Sequence, residues 1–84
     1  MNKRKLFKKA LGSGDNFRFG EMLTLLEAFG FHLARITGSH HIFTHPDVPE
    51  LINVQNYKGN TKPYQLRQFV KLVEKYDLDR GDET

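Results

Sequence analysis

From Phe19 onward the apolar residues Met22, Leu23, Leu26 and Phe29 return at three- and four-residue steps, and Gly30 follows where a left-handed C-cap sits. This spacing predicts an amphipathic helix that stops at Gly30. The next stretch, Phe31 to Thr37, is apolar and β-branched without helical period, and His40 to His45 reads the same way. With Gly38-Ser39 between them the two form a predicted β-hairpin joined by a two-residue turn. Pro46 and Pro49 bracket a loop, because proline cannot supply a ladder N–H, and Leu51 to Gln55 has the composition of a third short strand. A polar loop from Asn56 to Thr61 leads to a last helix that opens near Pro63, with Leu66, Phe69, Val70, Val73 and Tyr76 on one face. Ahead of all this, Leu6, Phe7, Ala10 and Leu11 have helical spacing, and the run Gly12 to Asn16 breaks it. The expected fold is α+β: an α-β-β-β-α domain whose three-stranded antiparallel sheet carries both helices on one face, preceded by a short basic helix.

A chain of 84 residues has room for one domain, and 38% hydrophobic with 27% charged residues is a globular composition. Cysteine is absent, which excludes a disulfide-stapled scaffold and any thiol chemistry, and a reducing, cytoplasmic setting fits. No apolar run approaches the roughly 18 residues of a membrane span, and no signal peptide is read. The net charge of +3 conceals an uneven distribution: Lys3, Arg4, Lys5, Lys8 and Lys9 come before any acid, while Asp77, Asp79, Asp82 and Glu83 crowd the end. A basic arm of this kind suits a polyanionic partner, and it suits plain solubility equally well.

All four histidines, His32, His40, His41 and His45, fall in or beside the hairpin. A zinc site is disfavoured, because His41 and His45 lie roughly 13 Å apart along a strand and His40 points away from His41. No metal or cofactor is expected. Histidine is the side chain that both takes and gives a proton near neutral pH, so acid–base chemistry is the sharper reading. A two-residue turn would set Ile36 opposite His41 and His32 opposite His45, gathering three histidines on one surface, and a one-residue slip would undo this. Cleavage of an RNA phosphodiester needs such a base and acid, with cations for the phosphate, and Arg35 with Lys58 or Lys62 can supply the charge. Half-exposed strand histidines and solvated lysines without any role remain the plainer alternative. Gly38 permits the turn, and Ser39 or the turn amides can hold a phosphate, although Ser39 lacks the surroundings of a nucleophile. Phe43 and Tyr57 are candidates for stacking on bases, with packing the expected role of Phe43. Arg67, Lys71 and Lys75 form a basic row on the last helix.

The run Gly30-Phe31-His32-Leu33-Ala34-Arg35-Ile36-Thr37-Gly38-Ser39-His40-His41 resembles the HicA, or YcfA-like, family of toxin ribonucleases. The family pattern places a helix before this segment, then a short strand like Leu51 to Gln55, a loop like Tyr57-Lys58-Gly59 and a closing helix like Lys62 to Tyr76. The resemblance covers about residues 19 to 78, which divides the chain into a basic extension 1–18, a HicA-like domain 19–78 and an acidic tail 79–84. It implies a double-stranded-RNA-binding-domain-like fold, metal-independent cleavage of mRNA and a HicB antitoxin that covers the active surface. Carried over by position, the catalytic histidine is His41, while Gly38, Ser39 and Arg35 match the turn and the basic strand position as RNA-binding residues. Lys58 and Lys62 join them on charge and placement alone. The extension and the tail lie outside the resemblance. The expected function is therefore that of a toxin endoribonuclease, and the rivals are a non-cleaving RNA-binding module and a protein-interaction domain.

Overall fold

The computed structural model describes residues 2–78, in the order α1 (Lys3–Leu11), α2 (Phe19–Ala28), β1 (His32–Thr37), β2 (His40–His45), β3 (Val48–Tyr57), β4 (Asn60–Thr61) and α3 (Pro63–Lys75). Local chemistry accounts for the boundaries. The Asn2 side chain accepts the Lys5 N–H at 2.8 Å and so caps α1, while Lys8 and Lys9 sit in its last turn against the negative end of the helix dipole. Gly30, with φ +90°, turns the chain out of α2, and Pro63 occupies the first position of α3. Gly38 has φ +61° and Ser39 does not share a positive φ, the pattern of a type II′ turn between β1 and β2.

The sheet is antiparallel in the order β1-β2-β3-β4. Two features differ from expectation. The third strand is longer than Leu51 to Gln55, with Pro49 accommodated where the β2–β3 register is irregular between Phe43 and His45. The segment read as a polar loop forms a hairpin, because Lys58 (φ 53°) and Gly59 (φ 86°) both adopt the left-handed conformation that a type I′ turn requires, pairing Tyr57 with Asn60. Asn56 steadies this turn by accepting the Gly59 N–H at 2.8 Å.

α2 and α3 cover one face of the sheet, giving the double-stranded-RNA-binding-domain-like arrangement over α2-β1-β2-β3-α3. Buried Phe43, Ile52 and Val54 from the strands meet Met22, Leu25 and Leu26 of α2 and Leu66, Phe69 and Val73 of α3. Phe69 is the hub, with ring centroids 6.1 Å from Phe7, 5.4 Å from Phe29 and 5.9 Å from Phe31. Removing a buried ring of this kind costs about 3–5 kcal/mol. The basic extension completes this core: Leu6, Ala10 and Phe17 are buried, and Glu21 of α2 binds the Lys9 ammonium. Of the acidic residues near the end, Asp79, Asp82 and Glu83 lie outside the described residues.

Candidate functional site

The histidines are sorted by the hairpin register. Thr37 pairs with His40 and Ile36 with His41, as a two-residue turn demands, but Ala34 is then passed over and Leu33 pairs with Phe43. The bulge shifts His32 opposite Thr44, so His32 does not face His45 and leaves the surface it was expected to share. β1 can bulge here because all six of its residues are exposed, so burial does not hold it to one register.

His41 and His45 both face the helices, and their surroundings differ completely. The His45 Nε2–H donates to the Phe29 carbonyl at 3.0 Å, and its Nδ1 accepts the Asp47 N–H at 3.0 Å. Both nitrogens are thus committed to backbone, one tautomer is imposed, and the ring stands 4.9 Å from that of Phe31. His45 is a tie between the end of α2 and the β2–β3 connection. The His41 ring meets Phe19, the first residue of α2, edge to face with centroids 5.0 Å apart. Its Nδ1 is buried without a hydrogen-bond partner. A buried ring nitrogen left unsatisfied is uncommon.

Other expected residues lie around His41 in two groups. On the open face of the sheet, His40 Nδ1 bonds Asn53 Oδ1 at 3.0 Å, and Gln55 Nε2 donates to Ser39 Oγ at 3.3 Å. Arg35 pairs with Ile42 and so belongs to this open face, across the sheet from the His41 ring. Gly38 and Ser39 form the exposed hairpin tip between the two faces. On the other side, the Phe19 N–H donates to the Gly59 carbonyl at 2.9 Å, which brings the β3–β4 turn with Lys58, and Lys62 beyond it, beside the element that packs on His41. The ammonium groups of Lys58 and Lys62 stand 5.5 and 5.4 Å from the Tyr57 ring centroid. Phe43 is fully packed, whereas Tyr57 is exposed. Among the described residues no three histidine or carboxylate side chains are grouped to hold a metal ion.

One residue that the sequence did not single out belongs here. Arg18 immediately precedes Phe19, and its guanidinium lies so near Gly59 that a Cβ there would come within 3.2 Å of it. Its Nη1 donates to Asn60 Oδ1 at 3.5 Å, and its backbone bridges Asn60. A cation is thereby held one residue from the aromatic ring that supports His41. In the sequence it was one basic residue at a helix start, without periodicity to mark it.

The family model described as "HicA toxin of bacterial toxin-antitoxin" matches residues 19–74. The chain belongs to the HicA toxin family. No curated protein and no solved structure matches it. The HicA match runs from the start of α2 into the last turn of α3 and includes the hairpin with His41. As a member of a toxin–antitoxin family the chain implies an antitoxin partner. α1 precedes the HicA match, yet it supplies Leu6 and Ala10 to the same core. Among the described residues no helix is long and apolar enough to cross a membrane.

Proposed function

We propose that this HicA toxin is a cytoplasmic, metal-independent endoribonuclease that cleaves mRNA, with His41 as its general acid or base. The observation that carries the reading is the state of His41: a family-matched histidine whose Nδ1 is sealed and unpartnered, leaving one nitrogen for proton transfer. In transesterification His41 Nε2 takes the proton of the ribose 2′-hydroxyl or gives one to the leaving 5′-oxygen. Arg18, Lys58 and Lys62, on the Phe19 side, offset the charge that builds on the phosphate. Arg35, Gly38 and Ser39 hold the RNA backbone where it crosses the hairpin tip, which gives binding that weakens steeply with salt. With His45 locked by two backbone partners and His32 and His40 on the opposite face, a second catalytic histidine is not at hand, so the pH–rate profile should show a single titrating limb. The partner is a HicB-like antitoxin, and exposed Leu33, Ile36 and Leu51 offer apolar surface for it to cover.

The test is RNA cleavage by the purified wild-type chain and by His41→Ala, with circular dichroism to establish that both fold. The expected result is loss of cleavage by roughly a hundredfold to ten-thousandfold in the variant. Equal cleavage by both proteins overturns the assignment of His41, and intact RNA in both replaces the nuclease with an RNA-binding module.

A further inference from the structure

The β3–β4 turn and the start of α3 form a cleft of about 560 Å³ whose lining contains none of the four histidines. That volume falls within the roughly 300–1,000 Å³ range of small-molecule sites. Its walls include Tyr57 and Tyr64, with Asn16, Asn60, Lys58 and Lys62 around them. The two tyrosines are 51% and 56% exposed, so neither ring contributes its faces to the core. Yet they are not loose. Gln65, only 2% exposed, donates from Nε2 to the Tyr64 hydroxyl at 3.3 Å and accepts the Gln55 N–H of β3 at 2.9 Å. Tyr57 is placed by the strand pairing with Asn60, one residue before the left-handed Lys58. Gln65 thus ties β3 to the first turn of α3 and holds the Tyr64 hydroxyl at the cleft wall.

We infer that this cleft is a subsite for one unpaired nucleotide of a single-stranded RNA, with the base stacked on Tyr57 and Tyr64 opposite it. The inference rests on the reading of the chain as an RNA-cleaving toxin and names how the strand beside the cleaved bond is held. Unpaired bases are what proteins recognise by stacking on aromatic side chains, because an A-form duplex keeps its bases out of reach. The lysine ammonium groups near the Tyr57 ring are within reach of the phosphate of a base stacked there, and such exposed cation–π contacts are weaker than the stacking that replaces them. Asp15 also lines the cleft, so its charge is one acid against two lysines, and its carboxylate suits a base amino group rather than a phosphate. Tyr57 lies three residues along β3 from Val54, the partner of His41, a separation on the order of 10 Å.

The experiment measures fluorescence anisotropy of a labelled single-stranded RNA of about ten nucleotides, 2′-O-methylated so that it cannot be cleaved. Wild type is compared with Tyr57→Ala, Tyr57→Phe and Tyr64→Ala, each checked for folding by circular dichroism. Tyr57→Ala should weaken binding about tenfold, Tyr64→Ala severalfold, and Tyr57→Phe less than about twofold. Annealing the probe into a duplex should abolish the difference between Tyr57→Ala and wild type. Equal affinity of Tyr57→Ala and wild type for the single strand overturns the inference, as does a wild-type protein that does not bind the probe. An equal loss on the duplex also overturns it, since the tyrosine would then act without a free base. If adenosine 5′-monophosphate displaces the RNA at concentrations near the protein's own, the cleft takes free nucleotides and the inference fails likewise. Stacking that persists in a chain that cleaves no RNA leaves the subsite standing and removes only the nuclease.

Discussion

His41 and His45 occupy the same strand and the same face, four residues apart, and the fold has given them opposite fates. At the His45 end α2 has just finished, and its last turn presents a carbonyl that the ring can bond, while the β2–β3 connection returns an N–H to the other nitrogen. At the His41 end α2 is only beginning, and what it presents is the Phe19 ring, while the His41 Nδ1 is buried without a partner. A saturated histidine is held in one tautomer and serves the fold. The other keeps a buried Nδ1 that no group bonds, so the two rings differ in how the fold has committed them.

The comparison breaks first, and by the largest margin, at activity. His41→Ala should lower RNA cleavage by about 3–5 kcal/mol of barrier, equivalent to the loss expected of a general acid or base, while its urea midpoint stays close to wild type. A large loss of stability with cleavage retained would reverse the roles of the two rings. His45→Ala should do the opposite. It strands the Phe29 carbonyl and opens space beside Phe31, costing about 2–3 kcal/mol in urea unfolding with the slope unchanged, and the protein that remains folded should still cleave.

Gly30→Ala sharpens the same point from the backbone. At φ +90° an alanine is strained, and its Cβ would stand 2.9 Å from His45 Nε2, so the substitution should disturb the tie as well as the turn. A loss of about 1–3 kcal/mol in thermal or urea unfolding is expected, and no loss would show that the His45 contact is dispensable.

The smallest effect concerns pH and involves neither ring. The Glu50 carboxyl accepts the Tyr76 hydroxyl at 2.7 Å and the Lys75 ammonium at 3.0 Å, and these bonds, Tyr76 first, hold it below its ordinary value of 4.5. Glu21 is held down in the same sense by Lys9. A carboxyl depressed on folding adds stability above its unfolded pKa, and that stability is lost as pH falls through the lower folded value. Stability curves of Glu50→Gln and wild type should therefore be slightly separated above the ordinary value of 4.5 and converge as pH falls through the lowered folded value. Separation that persists in acid would mean that Glu50 acts through packing, not charge.

Much of this fold was legible because its signals are local. The three-and-four spacing from Phe19, the glycine at position 30, the Gly38-Ser39 turn and Pro63 each act on a few neighbouring residues, and each appears where the pattern put it. The Lys58-Gly59 turn was missed because a lysine in the left-handed region is not a usual turn signal, and its hairpin is held partly from outside by Phe17, Arg18 and Phe19. The bulge at Ala34 was out of reach for a different reason. A strand exposed on both faces carries no hydrophobic record of its register.

The sequence by itself determined the order of elements, the placing of the caps and turns, the gathering of four histidines on one hairpin and the pattern that marks a HicA toxin, since all of these rest on short-range preferences and residue identity. Only the tertiary structure decided how His41 and His45 came to differ, because that depends on what α2 sets against each end of β2: a carbonyl beside His45, and beside His41 the Phe19 ring.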